Sequence, residues 1–396
     1  MKRSHSRKVR HIGLLGIAGL IVLILVAASI SALINLNLPT HSKVVDLLGS
    51  LEKTRLAEFI HLRQTLGNEV WPGWGEVDIP VIVYNEQYAF LIGYLDPPSG
   101  WIKMPSKEAR GGSWEAVSGD QFDRQTYYRQ QITDPNKTPE CFTVLVGARW
   151  VATFQTMDYS EITFYDGMRE GLPPIIREIF PYSLLWNTLA GESDAYITIL
   201  AHESFHAYQA ILNPAFFAKA EEVMHLEKNY PWDDKAQVDA WQKELDLLVD
   251  AAKADSNVEA AKLARRFLAQ RDARRTQIGL SSELEDFERQ REWLEGLAKY
   301  AELTIGRVAA ITPGYESLPD LDDDPEFNHY NTRERFWTLQ IDEVRQILNN
   351  EGEVRFYYSG FAQAVLLDRL QPGWKEPAVS EGVWLEDLLR EAISQQ

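Results

Sequence analysis

The stretch AYITILAHESFHAYQA, residues 195–210, holds two histidines four residues apart inside an apolar, helix-like pattern. On an α-helix, positions i and i+4 share one face about one turn apart. His202 and His206 can therefore present two imidazoles to one metal ion. Glu203 is turned roughly 100° from His202 at 3.6 residues per turn. Its carboxylate then stands beside such an ion, within reach of a proton on a bound water. Ile197, Ile199, Leu200, Phe205 and Tyr208 flank the motif and predict a buried helix, the dry and rigid mount that a zinc site needs.

A catalytic zinc takes three protein ligands and leaves a fourth position open. REWLEGLAKYAEL, residues 291–303, offers the third: Glu292, Glu295 and Glu302 share a helical face, with Trp293, Leu294, Leu297 and Ala298 as packing surface. Taken singly, each glutamate reads equally well as solvated. Glu295 is preferred because Gly296 follows it. Glycine costs about 1 kcal/mol inside a helix, so its presence predicts the close approach of a second helix. RFYYSGFAQAVLLDRL, residues 355–370, carries another such glycine, Gly360, just after Tyr357 and Tyr358.

The pair H-E-x-x-H at 202–206 and W-L-E-G-L-A-x-Y at 293–300 resembles the gluzincins, zinc metallopeptidases of the peptidase MA type. The resemblance spans about residues 140–375. It implies a zincin-like α+β fold, Zn2+ as cofactor and a peptide or protein substrate. It makes His202, His206 and Glu295 the metal ligands and Glu203 the general base. It also implies a downstream tyrosine donating to the oxyanion, Tyr357 or Tyr358, with Tyr358 preferred. The sequence departs from the thermolysin pattern at Lys299, where an aspartate would stand. The partner that orients a ligand histidine must then come from elsewhere.

Around this centre the chain reads as a tethered α+β protein. Residues 1–11 are basic, and Ile12–Leu38 carries no charge. An apolar run of about 20 residues spans a bilayer. Residues 12–36 are accordingly expected to form one transmembrane helix, with a cytoplasmic tail and the rest of the chain outside. The alternative is a signal peptide cleaved among the small residues of 27–32, giving a secreted product. Residues 40–75 read as a helix or stalk, with Val45, Leu47, Leu48, Leu51 and Leu56 at near-helical spacing, broken by WPGWG at 71–75.

A strand-rich subdomain is expected over 76–170, with strands at Ile79–Tyr84, Tyr88–Leu95, Cys141–Thr156 and Glu161–Tyr165. Phe142–Phe154 precedes the motif helix, where zincins place an edge strand that pairs with an extended substrate. Residues 171–396 are expected to be helical. A charged hairpin at 214–280, interrupted at Tyr230–Trp232, reads as a solvated insert between the two ligand helices. Asp320–Asp324 reads as a solvated acidic loop. A single cysteine, Cys141, excludes an intrachain disulfide and sits among apolar neighbours as a core residue would. A formal net charge of −18 excludes nucleic acid as a partner. Beside the peptidase stands a reading of another class, a tethered binding or assembly protein with a structural zinc site.

Overall fold

In a computed structural model of the chain, residues 19–20, 22–350 and 352–395 are described. The basic tail and the first part of the expected membrane span lie outside them. Residues 22–35 are helical. No described helix is long and apolar enough to cross a membrane.

The fold is α+β: one curled eight-stranded sheet against a larger helical body. Strands β1 (Val81–Tyr84), β2 (Tyr88–Ile92), β3 (Trp101–Lys103), β4 (Glu108–Arg110), β5 (Glu115–Ala116), β6 (Tyr128–Gln131), β7 (Phe142–Val146) and β8 (Arg149–Gln155) run in the order β4-β3-β7-β8-β1-β2-β6-β5. All neighbours are antiparallel except β1 and β8, which pair in parallel with Val81 opposite Ala152. The expected β1–β2 hairpin is present, closed by Asn85, whose side chain accepts from the backbone N–H groups of Gln87 and Tyr88.

Several expectations are corrected. Cys141–Thr156 is a hairpin rather than one strand: Val146 pairs with Arg149, so Gly147 and Ala148 form a two-residue turn. Such turns need positive φ at the first central position, and Gly147 sits at φ +59. This hairpin lies inside the sheet, β7 between β3 and β8, and the edge strands are β4 and β5. Cys141 is exposed at the foot of β7. Glu161–Tyr165 belongs to a helix, Met157–Gly171, not a strand. Thr156 caps its first turn, accepting from the Tyr159 N–H. Met157, Ile162 and Tyr165 are its buried face, a helical spacing that overrides the β-preference of the run.

The helix Ser50–Val70 is no stalk. It buries Leu56, Phe59, Leu62, Leu66 and Val70 and packs against both the motif helix, Ser193–Leu212, and the helix Leu297–Ile311. WPGWG ends it and wedges under the motif helix. The Trp71 and Trp74 rings meet Phe205 edge-on at 5.2 and 5.3 Å, and the Tyr208 hydroxyl donates to the Pro72 carbonyl. The motif helix also lies on β7 and β8. Covered on nearly every side, it is buried nearly all round.

The charged hairpin, Lys235–Lys253 and Asn257–Ile278, is part of the core rather than a solvated insert. Arg271, Arg274 and Arg275 are buried with Glu244, Glu288, Glu292 and Glu386. Arg271 alone reaches Glu244 at 2.7 Å, Glu292 at 2.6 Å and Glu386 at 3.1 Å. The charges looked solvated because most of their partners lie outside the hairpin. Asp324 likewise leaves its acidic run to pair, buried, with Arg55 at 2.7 Å.

Candidate metal centre

The two histidines face a turn of unusual geometry. Residues Glu292–Gly296 form a π-helical turn between the helices Ser282–Arg291 and Leu297–Ile311. Such turns widen a helix by one residue and recur at functional sites. Here Glu295 is directed at the motif helix, and a glycine pair lets a further helix pack against the same turn. The helix Val354–Leu370 crosses at Gly296 and Gly360. A Cβ on Gly296 would meet Gly360 Cα at 2.5 Å, so each helix needs its glycine, as the sequence predicts.

Three atoms converge. His202 Nε2 and His206 Nε2 are 3.1 Å apart, and Glu295 Oε2 lies 3.5 and 3.2 Å from them. Ligands about 2.1 Å from a tetrahedral zinc would stand about 3.4 Å from one another. The triangle is close to that size.

The hydrogen bonds behind these atoms decide what they offer. His202 Nδ1 lies 3.1 Å from Glu302 Oε2, and His206 Nδ1 lies 3.0 Å from Gln209 Oε1. An acceptor on each Nδ1 holds the proton there and turns the Nε2 lone pair forward. Glu295 Oε1 accepts from Arg291 at 2.6 Å, while Oε2 is buried with no hydrogen bond. With both imidazoles neutral, two lone pairs would meet here with a carboxylate oxygen that has no hydrogen bond of its own. Buried, that arrangement is stable only around positive charge. The donor set fits a divalent cation of zinc type.

Charge around the site agrees. Burial pulls the His202 imidazole down, yet Glu295 and Glu302 outweigh it and push it up to about 10, so without an ion a proton on His202 supplies the positive charge that a metal would replace. Burial raises Glu302, but Lys299 and His202 bring it down to about 2. Glu295 is likewise held well below the carboxylate range, His206 and Arg291 prevailing over burial. Glu203 is pushed up by burial, against the pull of His202 and His206. The motif residues retain a sliver of surface, 6–8 %, whereas Ala201, Ser204 and Phe205 between and beside them have none.

The sequence-predicted residues are placed as follows. His202, His206 and Glu295 come together, with Glu203 beside them on the motif helix. Glu302 sits behind His202, and Lys299, in the aspartate's expected place, donates to Glu302 at 2.6 Å. Glu292 faces away, toward Arg271 and Ser359. Tyr358, the preferred tyrosine, has its hydroxyl donating to Gln340, and the ring beside the site is Tyr357, stacked over His202 at 5.8 Å and 13°. Consecutive helix residues diverge by about 100°. Tyr357, three residues before Gly360, shares the face that meets Gly296.

Arg291 and Gln209 were not singled out from sequence. Both had a signal: Arg291 precedes Glu295 by one helical turn, and Gln209 follows His206 by three residues. Gln209 does more than hold His206. Its Nε2 donates to the Trp293 carbonyl at 2.9 Å and the Leu294 carbonyl at 3.2 Å, both in the π turn.

No protein-family model matches this chain, and no curated protein or solved structure matches it either.

Proposed function

We propose that the protein is a zinc-dependent metallopeptidase, tethered to a membrane by its N-terminal apolar segment with the catalytic body outside the cytoplasm. The observation that carries this reading is the convergence of His202 Nε2, His206 Nε2 and the orphaned Glu295 Oε2, with a buried carboxylate, Glu203, one residue along the same helix.

His202, His206 and Glu295 would hold the ion, and Glu302, Gln209 and Arg291 would keep the three donors aimed. A zinc ion so held supplies a Lewis acid for a scissile carbonyl and lowers the pKa of a water. Glu203 would accept a proton and return it to the leaving amine. Its raised pKa suits a group that must both take and give one. Tyr357, half-buried and stacked over His202, is the nearer tyrosine to donate to a developing oxyanion.

The closed character of the site, with every candidate ligand more than nine-tenths buried, favours a second reading, a tethered binding or assembly protein with structural zinc. Zinc per chain, measured by elemental analysis, tests the metal: one ion in the wild type and a marked loss in Glu295→Ala are expected. Glu203→Gln separates the two readings. The peptidase keeps its zinc and loses hydrolysis of a fluorogenic peptide library. Wild-type protein that holds zinc and cleaves nothing in that library would favour the structural reading.

A further inference from the structure

Two short helices between the sheet and the motif helix, Pro174–Ile179 and Tyr182–Leu189, carry apolar side chains on the wrong side for folding. The second turns Tyr182 and Trp186 into the core, and the first buries no residue. Outward they present Ile175, Ile176, Ile179, Leu184 and Leu189, with Ile175 81 %, Leu184 66 % and Leu189 65 % exposed. Single apolar residues are ordinary on a soluble surface; a contiguous patch marks an interaction site.

The patch carries few charges, and of these Glu178 is exposed on the face of Ile175 and Ile179. Residues 171–189 contain only Arg177 and Glu178. The Arg177 guanidinium folds back onto the Leu172 carbonyl at 2.6 Å and the Glu170 carbonyl at 3.1 Å. What covers the patch is indicated by its neighbour. The helical residues 22–35 expose Leu23, Leu25 and Leu33 by 60 % or more. Asn35, at the end of that helix, donates to the carbonyls of Glu178 and Phe180, both at 3.0 Å. The apolar N-terminal segment therefore leaves the body at the junction of the two patch helices.

We infer that Pro174–Leu189 is a membrane-surface element, seated at the headgroup and acyl boundary of the bilayer that takes the N-terminal segment. This rests on the membrane tether proposed above and adds that the body lies against the bilayer. Amphipathic segments bind at that depth through buried apolar area. With its one cation turned inward, this patch needs no anionic lipid.

The test uses the full chain, with Cys141→Ser to remove the native thiol, reconstituted in phosphatidylcholine vesicles. Single cysteines replace Leu25, Ile175, Leu184 or Val258 and carry an environment-sensitive fluorophore. Val258, on the charged hairpin, is 79 % exposed and matches Ile175 in all but location. Phosphatidylcholine brominated in its acyl chains should quench the probes at 25, 175 and 184 severalfold and spare the probe at 258. Quenching at 25 alone would overturn the membrane-surface element and leave the tether standing. No quenching at any position would remove the tether and the inference together. Energy transfer between chains labelled at 175 or 184, without lipid quenching there, would assign the patch to a second copy and overturn the inference.

Discussion

Gln209 joins the two halves of the candidate site through one amide: the oxygen holds His206, the nitrogen holds the carbonyls of the π turn. Removing a partner behind a metal ligand typically weakens the metal by about 10–100-fold. Gln209→Ala should loosen zinc by that factor in a chelator competition, with an unchanged far-ultraviolet circular dichroism spectrum. Tyr357→Phe should lower turnover roughly 100-fold, as loss of an oxyanion donor does, whereas Tyr358→Phe should leave it within a fewfold. The two tyrosines were separable in the sequence by counting back three residues from Gly360, a spacing that only gains meaning once Gly296 is known to be its partner. Glu302 was visible as a face-mate of Glu295. Its role behind His202 was not, because an interhelical hydrogen bond leaves no mark on either helix alone.

Glu52 is a second instructive residue. Carried by the helix Ser50–Val70 and buried against the motif helix, it accepts from the Tyr196 hydroxyl and from the Met157 N–H. Burial prevails over these bonds and over Arg55, with Asp158 adding to it, and the carboxyl is pushed from 4.5 up to about 7. The folded chain then keeps a proton that the unfolded chain releases. The stability from this group is complete below pH about 4.5 and declines as pH rises toward about 7, by about 3 kcal/mol in all. Glu52→Gln should remove this decline. Denaturant unfolding of both proteins at several pH values should show the variant gaining on the wild type as pH rises.

Among elements, the crossing at Gly296 and Gly360 is the most tightly specified. A Cβ at 360 would meet the Glu292 carbonyl at 2.5 Å and Gly296 Cα at 2.7 Å, backbone atoms that cannot swing away. Gly360→Ala should cost about 1–3 kcal/mol through overpacking and shift the π turn. Thermal unfolding and zinc content should fall together, since the same turn carries Glu295. The motif helix and the β1–β2 hairpin were legible in sequence, because helical and alternating periodicities dominate there. The helix Met157–Gly171 was not, because Ile162, Thr163, Phe164 and Tyr165 favour strands and its start is set by a Thr156 cap.

Across the whole molecule, the buried arginines bind three regions distant in sequence: the hairpin, the π turn and the C-terminal helix Leu385–Ser394, which supplies Glu386. Such networks add little net stability when complete, yet removing one member strands the others. Arg271→Met should therefore cost about 3–5 kcal/mol by denaturant unfolding. Composition alone hid this core, since an arginine paired through tertiary contact is indistinguishable in sequence from a solvated one.

The helix Ser50–Val70 depends on the far end of the chain. Arg55 bonds Asp324, and Glu58 accepts from Tyr330, across gaps of 269 and 272 residues. Chains emerge from the N-terminus at about 5–20 residues per second. For many seconds after Ser50–Val70 appears, Arg55 and Glu58 lack the partners they bond in the folded chain, whereas Arg63 finds the Trp74 and Val77 carbonyls at once. A segment made early is completed among the last, and a chain cut before Asp324 would keep the HExxH motif while losing the Asp324 and Tyr330 supports of the helix beneath it.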